Sequence, residues 1–232
     1  MRRLLVLALA LGLAACSGAV RFEPETPGVH TVRKGDTLYS IAFRNELNWR
    51  EVADWNEIDA PYRIEIGQKL RLTAPPATSA SSAPTAPGAT PRPGPKPKPR
   101  PPLPVGPPGK VAWSWPADGR VAAAFNAAKP TGKGIDISGT YGGEVRAAAE
   151  GRVVYVGSGL VGYGKVIIVK HDDRYLSAYA HNDDFLVKEG EAVKRGQRIA
   201  TMGLGPGQRP MLHFEIRLDG RAIDPQRLLP KR

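Results

Sequence analysis

The sequence predicts a multidomain chain: a small α+β module of order βααβ, a Pro-rich disordered linker, and a larger, mostly-β domain. Three observations carry this expectation. Apolar residues recur at helical spacing only around positions 38–55, between two short alternating runs. Residues 74–110 are dominated by Pro, Ala, Ser and Gly and show no apolar periodicity. Beyond position 111, short Val- and Ile-rich runs alternate with turn signals, and no helix-length apolar pattern occurs. The 232 residues suffice for one or two folded domains.

The chain opens on Met1-Arg2-Arg3 and an apolar run from Leu4 to Ala15. That run is shorter than the ~20 residues a helix needs to cross a bilayer. Ala14 and Ala15 precede Cys16, the only cysteine. Leu13-Ala-Ala-Cys16 resembles a bacterial lipobox, which implies cleavage before Cys16 and acylation of its thiol. Residues 1–15 are then a lipoprotein signal peptide and 16–27 a lipidated tether. An ordinary secretory signal with an incidental cysteine is the alternative. Ser17, rather than Asp, follows the cysteine; in Gram-negative lipoproteins that implies the outer membrane, facing the periplasm. Each buried CH₂ of the acyl chains contributes ~0.8 kcal/mol to anchoring. With Cys16 acylated no thiol is left for a disulfide, so each domain must fold on its own core. The formal charge of +11 favours polyanions. Behind a lipid anchor that points to an acidic wall polymer or anionic lipid heads and away from nucleic acid.

In the module at 28–73, Val29 to Val32 reads as a strand and Gly35-Asp36 as a turn, with Asp36 placed to cap the following helix. Leu38, Ile41, Ala42 and Asn45 mark that helix. Trp49, Val52 and Ala53 mark a second, with Trp55 near its end, and Lys69 to Leu72 alternates as a strand. Trp49 and Trp55 read as core packing. The run His30 to Ala42, with Trp55-Asn56 and Ile66-Gly-Gln-Lys-Leu70, closely resembles a LysM domain. The resemblance implies binding of N-acetylglucosamine-containing glycans such as peptidoglycan. Its groove maps to Gly35, Asp36, Thr37 and Leu38 and to Ile58, Tyr62, Arg63 and Ile64.

In the linker, Pro91 to Arg100 alternates proline with base. Proline fixes φ and removes the amide donor, which leaves an extended polyproline II spacer. At ~3.1 Å per residue it would reach on the order of 100 Å. It reads either as a reach-setting spacer touching acidic wall polymer or as a solubilising linker.

Strands are expected at Glu144–Ala148, Gly151–Gly157, Lys165–His171, Tyr175–His181, Gln197–Met202 and His213–Leu218, with hairpin turns at Asp172-Asp173 and Asp219-Gly220. Val166-Ile-Ile-Val169 is a continuous apolar run, as in a strand buried on both sides. The motifs Gly134-Ile-Asp-Ile137, Gly162-Tyr-Gly164, Tyr179-Ala-His181, Ile199-Ala-Thr-Met-Gly203 and Leu212-His-Phe-Glu-Ile216 resemble the LytM/M23 metallopeptidase family. That implies a lysostaphin-like, duplicated hybrid fold over 111–232. Active members hold zinc through H-x-x-x-D and the second His of H-x-H, and two further histidines assist water. Asp136, His213 and His181 match a ligand aspartate, a ligand histidine and a catalytic histidine. Gly132 stands where the other ligand histidine belongs, and Met211 where the other catalytic histidine belongs. Two ligands fall short of the three protein ligands of a catalytic zinc site, so no metal or cofactor is expected. His171, at a strand end, reads as exposed or structural.

Lipobox, LysM, linker and degenerate LytM domain together resemble the murein hydrolase activator NlpD family. That implies a non-hydrolytic partner of a periplasmic zinc N-acetylmuramoyl-L-alanine amidase, acting in septal wall splitting and daughter-cell separation. The expected cleft holds Lys133, Asp136, Tyr163, His181, His213 and Glu215, with Lys133 partly replacing the missing cation and Arg174 and Arg217 meeting partner carboxylates. The loop Gly203 to Met211 departs from the family. The rival expectations are a divergent zinc endopeptidase and a structural tether between outer membrane and wall.

Overall fold

The computed structural model describes residues 27–75, 111–129 and 132–232. The signal peptide, Cys16 and the Pro-rich segment 76–110 lie outside them. The small module runs β1 (Val29–Thr31), α1 (Leu38–Arg44), α2 (Trp49–Trp55) and β2 (Lys69–Arg71). Strands β1 and β2 pair antiparallel, with His30 opposite Leu70. The cap of α1 is Thr37, not Asp36: its hydroxyl accepts from the Ser40 amide, and Ser40 Oγ accepts from the Thr37 amide. Asp36 instead staples the turn before it. One carboxylate oxygen meets His30 Nε2 at 2.8 Å and the Arg33 amide at 2.9 Å; the other accepts from Arg44 at 3.0 Å. Asn48 caps α2 by accepting from the Arg50 amide.

The larger domain adds β3 (Val121–Ala123), β4 (Ile135–Ser138), β5 (Glu144–Arg146), β6 (Gly151–Gly157), β7 (Lys165–Lys170), β8 (Tyr175–Phe185), β9 (Ala192–Val193), β10 (Arg198–Met202), β11 (Met211–Leu218) and β12 (Arg221–Ile223). Their order is β3-β4-β11-β8-β7-β6-β9. Strand β12 adds to β11, and β10 bridges β8 and β5. Every pair is antiparallel. The six expected strands are present within a few residues of their expected ends. Strands β3, β4, β9 and β12, each of two to four residues, were too short to announce themselves by alternation.

Alternation sorts the side chains. Ile135, Ile137, Ile167, Val169, Leu212, Phe214 and Ile216 face one core. Val166 and Ile168 of the same apolar run, with Tyr155, Leu176, Ala178 and Ala180, face the other way. That second face is covered by the small βααβ module: these residues form one buried cluster with Leu38, Ile41, Phe43 and Trp49. Burying an aliphatic side chain of this size contributes about 1.5–3 kcal/mol. The two folded modules therefore touch directly, a point the sequence left open.

Polar contacts frame the interface. Arg50 pairs with Asp173, which also meets Lys170 at 3.1 Å. The Lys170 ammonium lies 5.2 Å from the Trp49 ring centre. Lys133 Nζ pairs with Glu46 at 3.0 Å. At the Asp219-Gly220 turn the glycine adopts φ +83°, and a Cβ there would sit 2.3 Å from the Leu47 carbonyl carbon.

Candidate functional site: a cleft with a charge-closed floor

The register of β4 on β11 sets Asp136 directly opposite His213. Period-two alternation puts His213, Glu215 and Arg217 on one face of β11, so four charged side chains form a row. His213 Nδ1 lies 2.7 Å from Asp136 Oδ1 and its Nε2 lies 3.1 Å from Glu215 Oε1. Arg217 donates through Nε to Glu215 Oε2 at 2.9 Å, and the Tyr163 hydroxyl donates to Glu215 Oε1 at 2.7 Å. Burial opposes protonation of His213, but its hydrogen bonds to the two carboxylates and their charges prevail and raise its pKa to about 9. Burial likewise pushes Glu215 up, but His213, Arg217 and Tyr163 hold it below its ordinary value. The row reads minus, plus, minus, plus.

His181 enters from a bend in β8. It sits at φ +62°, a left-handed conformation that non-glycine residues adopt mainly where neighbours hold them. Its amide donates to Tyr163 O and its carbonyl accepts from the Gly203 amide. Beyond this point β8 leaves β11 and pairs with β10. The ring centre lies 6.3 Å from that of His213. Burial, then the charge of His213, lower its pKa, so its imidazole is neutral at pH 7.

These residues floor a cleft of about 730 Å³. Val161, Tyr163, Pro206, Met211, Ala123 and Ala124 form its walls. Val161 is 94% exposed on one rim, and Leu204, in the loop between β10 and β11, is 41% exposed. Sequence reasoning passed over Val161. Its signal was an apolar pair, Leu160-Val161, in a loop flanked by glycines.

Of the expected cleft residues, Asp136, Tyr163, His181, His213 and Glu215 are brought together. Three are not. Lys133 faces the small βααβ module, where Glu46 takes its ammonium, and does not stand in for a cation beside Asp136. Arg174 is bound to Asp219 at 2.6 Å across the hairpin ends. Arg217 is 2% exposed, turned into the interface, and cannot reach a carboxylate on an outside partner. Among the expected glycan residues, Leu38 and Ile58 are buried in the module's core. Gly35 and Arg63 are exposed, and Asp36, Thr37, Tyr62 and Ile64 are half-buried. Tyr62 packs edge-on to Trp49 at 4.9 Å. His171 is structural: it bonds Glu150 O and Ser177 Oγ and packs edge-on to Trp113.

The residues present do not fit a catalytic zinc ion. At Gly132 a Cβ would lie 2.5 Å from the Asn126 carbonyl oxygen, so no side chain of any kind enters there without moving backbone. A ligand imidazole must offer a free lone pair, whereas both nitrogens of His213 face carboxylates. Among the described residues, no three His, Cys, Asp or Glu side chains are grouped to hold a metal ion.

Fold and site define a two-module protein, a LysM domain joined to an M23-type domain. The M23 peptidase family model matches residues 130–225 and the LysM domain model residues 30–73. The uncharacterized lipoprotein YgeR of Escherichia coli is 43% identical, covering 97% of this chain and 91% of that one. A lipoprotein NlpD/LppB homolog of Pseudomonas aeruginosa is 46% identical over 92% of this chain and 81% of its own. Murein hydrolase activator NlpD of E. coli is 38% identical over 88% and 68%. The chain belongs to the NlpD family.

Proposed function

We propose that the protein is an outer-membrane lipoprotein, anchored through Cys16 and facing the periplasm. It binds peptidoglycan through its LysM module and activates a periplasmic N-acetylmuramoyl-L-alanine amidase for septal wall splitting and daughter-cell separation. It has no hydrolase activity of its own. The observation that carries this reading is a substrate-sized cleft kept open over a floor whose charges are already balanced. Asp136, His213, Glu215 and Arg217 satisfy one another, and Gly132 and Met211 supply neither ligand nor base. A cleft without chemistry is a binding site. The relatives named as murein hydrolase activators and as lipoproteins support the reading. Among the described residues no helix is long and apolar enough to cross a membrane.

The mechanism follows from linkage. An amidase segment seated between Val161 and Met211 favours the amidase conformation that presents it. Activation can then be no larger than the difference in affinity for the two amidase conformations. The glycan contact adds effective concentration at the wall.

Dye release from labelled peptidoglycan by the purified full chain, alone and with each amidase of the same cell, tests the proposal. Silence alone and stimulation of one amidase is the expected result and names the partner. Chelator-sensitive release by the chain alone would make it an endopeptidase. Wall binding without any stimulation would leave only a tether.

A further inference from the structure

The row of charges on the cleft floor does not end within the M23-type domain. Arg217, its last member, is covered by the LysM module. Its Nη1 donates to the Phe43 carbonyl at 3.2 Å, at the end of α1, and to Gly220 O at 3.3 Å. Its guanidinium lies 3.9 Å from the centre of the Phe43 ring. The same ring meets Tyr163 edge-on at 5.7 Å, and Tyr163 in turn meets His213 edge-on at 5.9 Å. One LysM side chain thus backs both the arginine that holds Glu215 and the tyrosine that walls the cleft.

A second opening lies on the far side of this wall. It is lined by Arg44, Glu46, Lys133, Val161, Tyr163 and Arg217, and it shares Val161 and Tyr163 with the cleft. The segment from Val161 to Tyr163 is therefore a partition with the cleft on one side and LysM on the other. Within the loop its backbone hold is the Tyr163 amide to Leu160 O; beyond it, Tyr163 O accepts from His181. Neither bond fixes the Tyr163 side chain, which is held by Glu215, Phe43 and His213.

We infer that the LysM module is a structural part of the cleft, and that Arg217 and Phe43 are positioning residues which set the cleft wall through Glu215 and Tyr163. Undocking LysM would hydrate Arg217, weaken its grip on Glu215 and leave Tyr163 without one of its two ring neighbours. The wall would loosen although no residue inside the cleft had changed. The use of that wall for binding an amidase rests on the activator reading; the coupling itself does not.

Hydrogen exchange on the full chain tests the coupling without any amidase. Two variants are compared with wild type. Arg217→Met cuts the link at the interface. Asp173→Arg, on the β7–β8 hairpin and outside the cleft lining, sets a cation against Arg50 and Lys170. Both are expected to speed exchange of the amides between 158 and 165 by about tenfold or more, as local openings do when their support is lost. The charge swap Arg50→Asp with Asp173→Arg should return exchange to the wild-type rate, which a general loss of folding would not. Unaltered exchange at 158–165 in both variants, or faster exchange confined to the LysM module and the hairpin, overturns the inference.

Discussion

Glu215 has no exposed surface and three partners, His213, Arg217 and Tyr163. Its removal strands two cations in the interior. Breaking a buried ion pair by deleting one partner costs about 3–5 kcal/mol. Glu215→Ala is therefore expected to lower the unfolding free energy obtained from urea titration by that amount, and a loss below about 1 kcal/mol, the value of an exposed pair, would show that water enters the row. Gly132 makes a second prediction. Restoring the two missing histidines, Gly132→His with Met211→His, should not yield one zinc per chain by elemental analysis, because the new Cβ meets the Asn126 carbonyl oxygen at 2.5 Å. Stoichiometric zinc in that variant would show that the contact between positions 126 and 132 yields at little cost.

At the scale of elements, the strand β7 was legible because its run of four apolar residues admits only burial on both faces, and both faces are buried. The cleft residues on β8 and β11 were legible from motif spacing. Lys133 was misjudged because nearness in sequence to Asp136 is not nearness in space: it lies in the bend before β4, outside the strand whose alternation places Asp136, and Glu46 takes its ammonium. Arg217 shares the parity of His213 and Glu215, so its face could be read. Its burial could not, since Phe43 lies 174 residues earlier in the chain.

The end of β7 carries a pH prediction. His171 is held neutral between Glu150 O and Ser177, and burial lowers its pKa from 6.5 to about 4. The unfolded chain binds the extra proton between those values, so stability rises with pH there. Its contribution is complete above pH 6.5 and is lost as pH falls towards 4. Urea midpoints measured across this window should slope less in His171→Gln than in wild type. Equal slopes would mean that His171 is protonated in the fold.

On the scale of the whole molecule, the apolar second face of the sheet predicts that the two modules unfold together. Thermal unfolding of the full chain should show one transition. Gly220→Val adds a branched side chain at φ +83° against Leu47, and should split the transition in two and raise dye binding to exposed apolar surface. A single unshifted transition in that variant would mean that the turn slides past Leu47 without parting the modules.

Direct docking also has a geometric meaning for the wall. The proposed glycan groove and the cleft lie on modules that pack against each other, so while docked they keep their offset and orientation, like two marks on a ruler. A sugar strand held at one mark fixes where the other falls. An enzyme recruited there would be presented to the neighbouring strands at a repeatable distance, rather than sweeping the volume that a tether of the same length would allow.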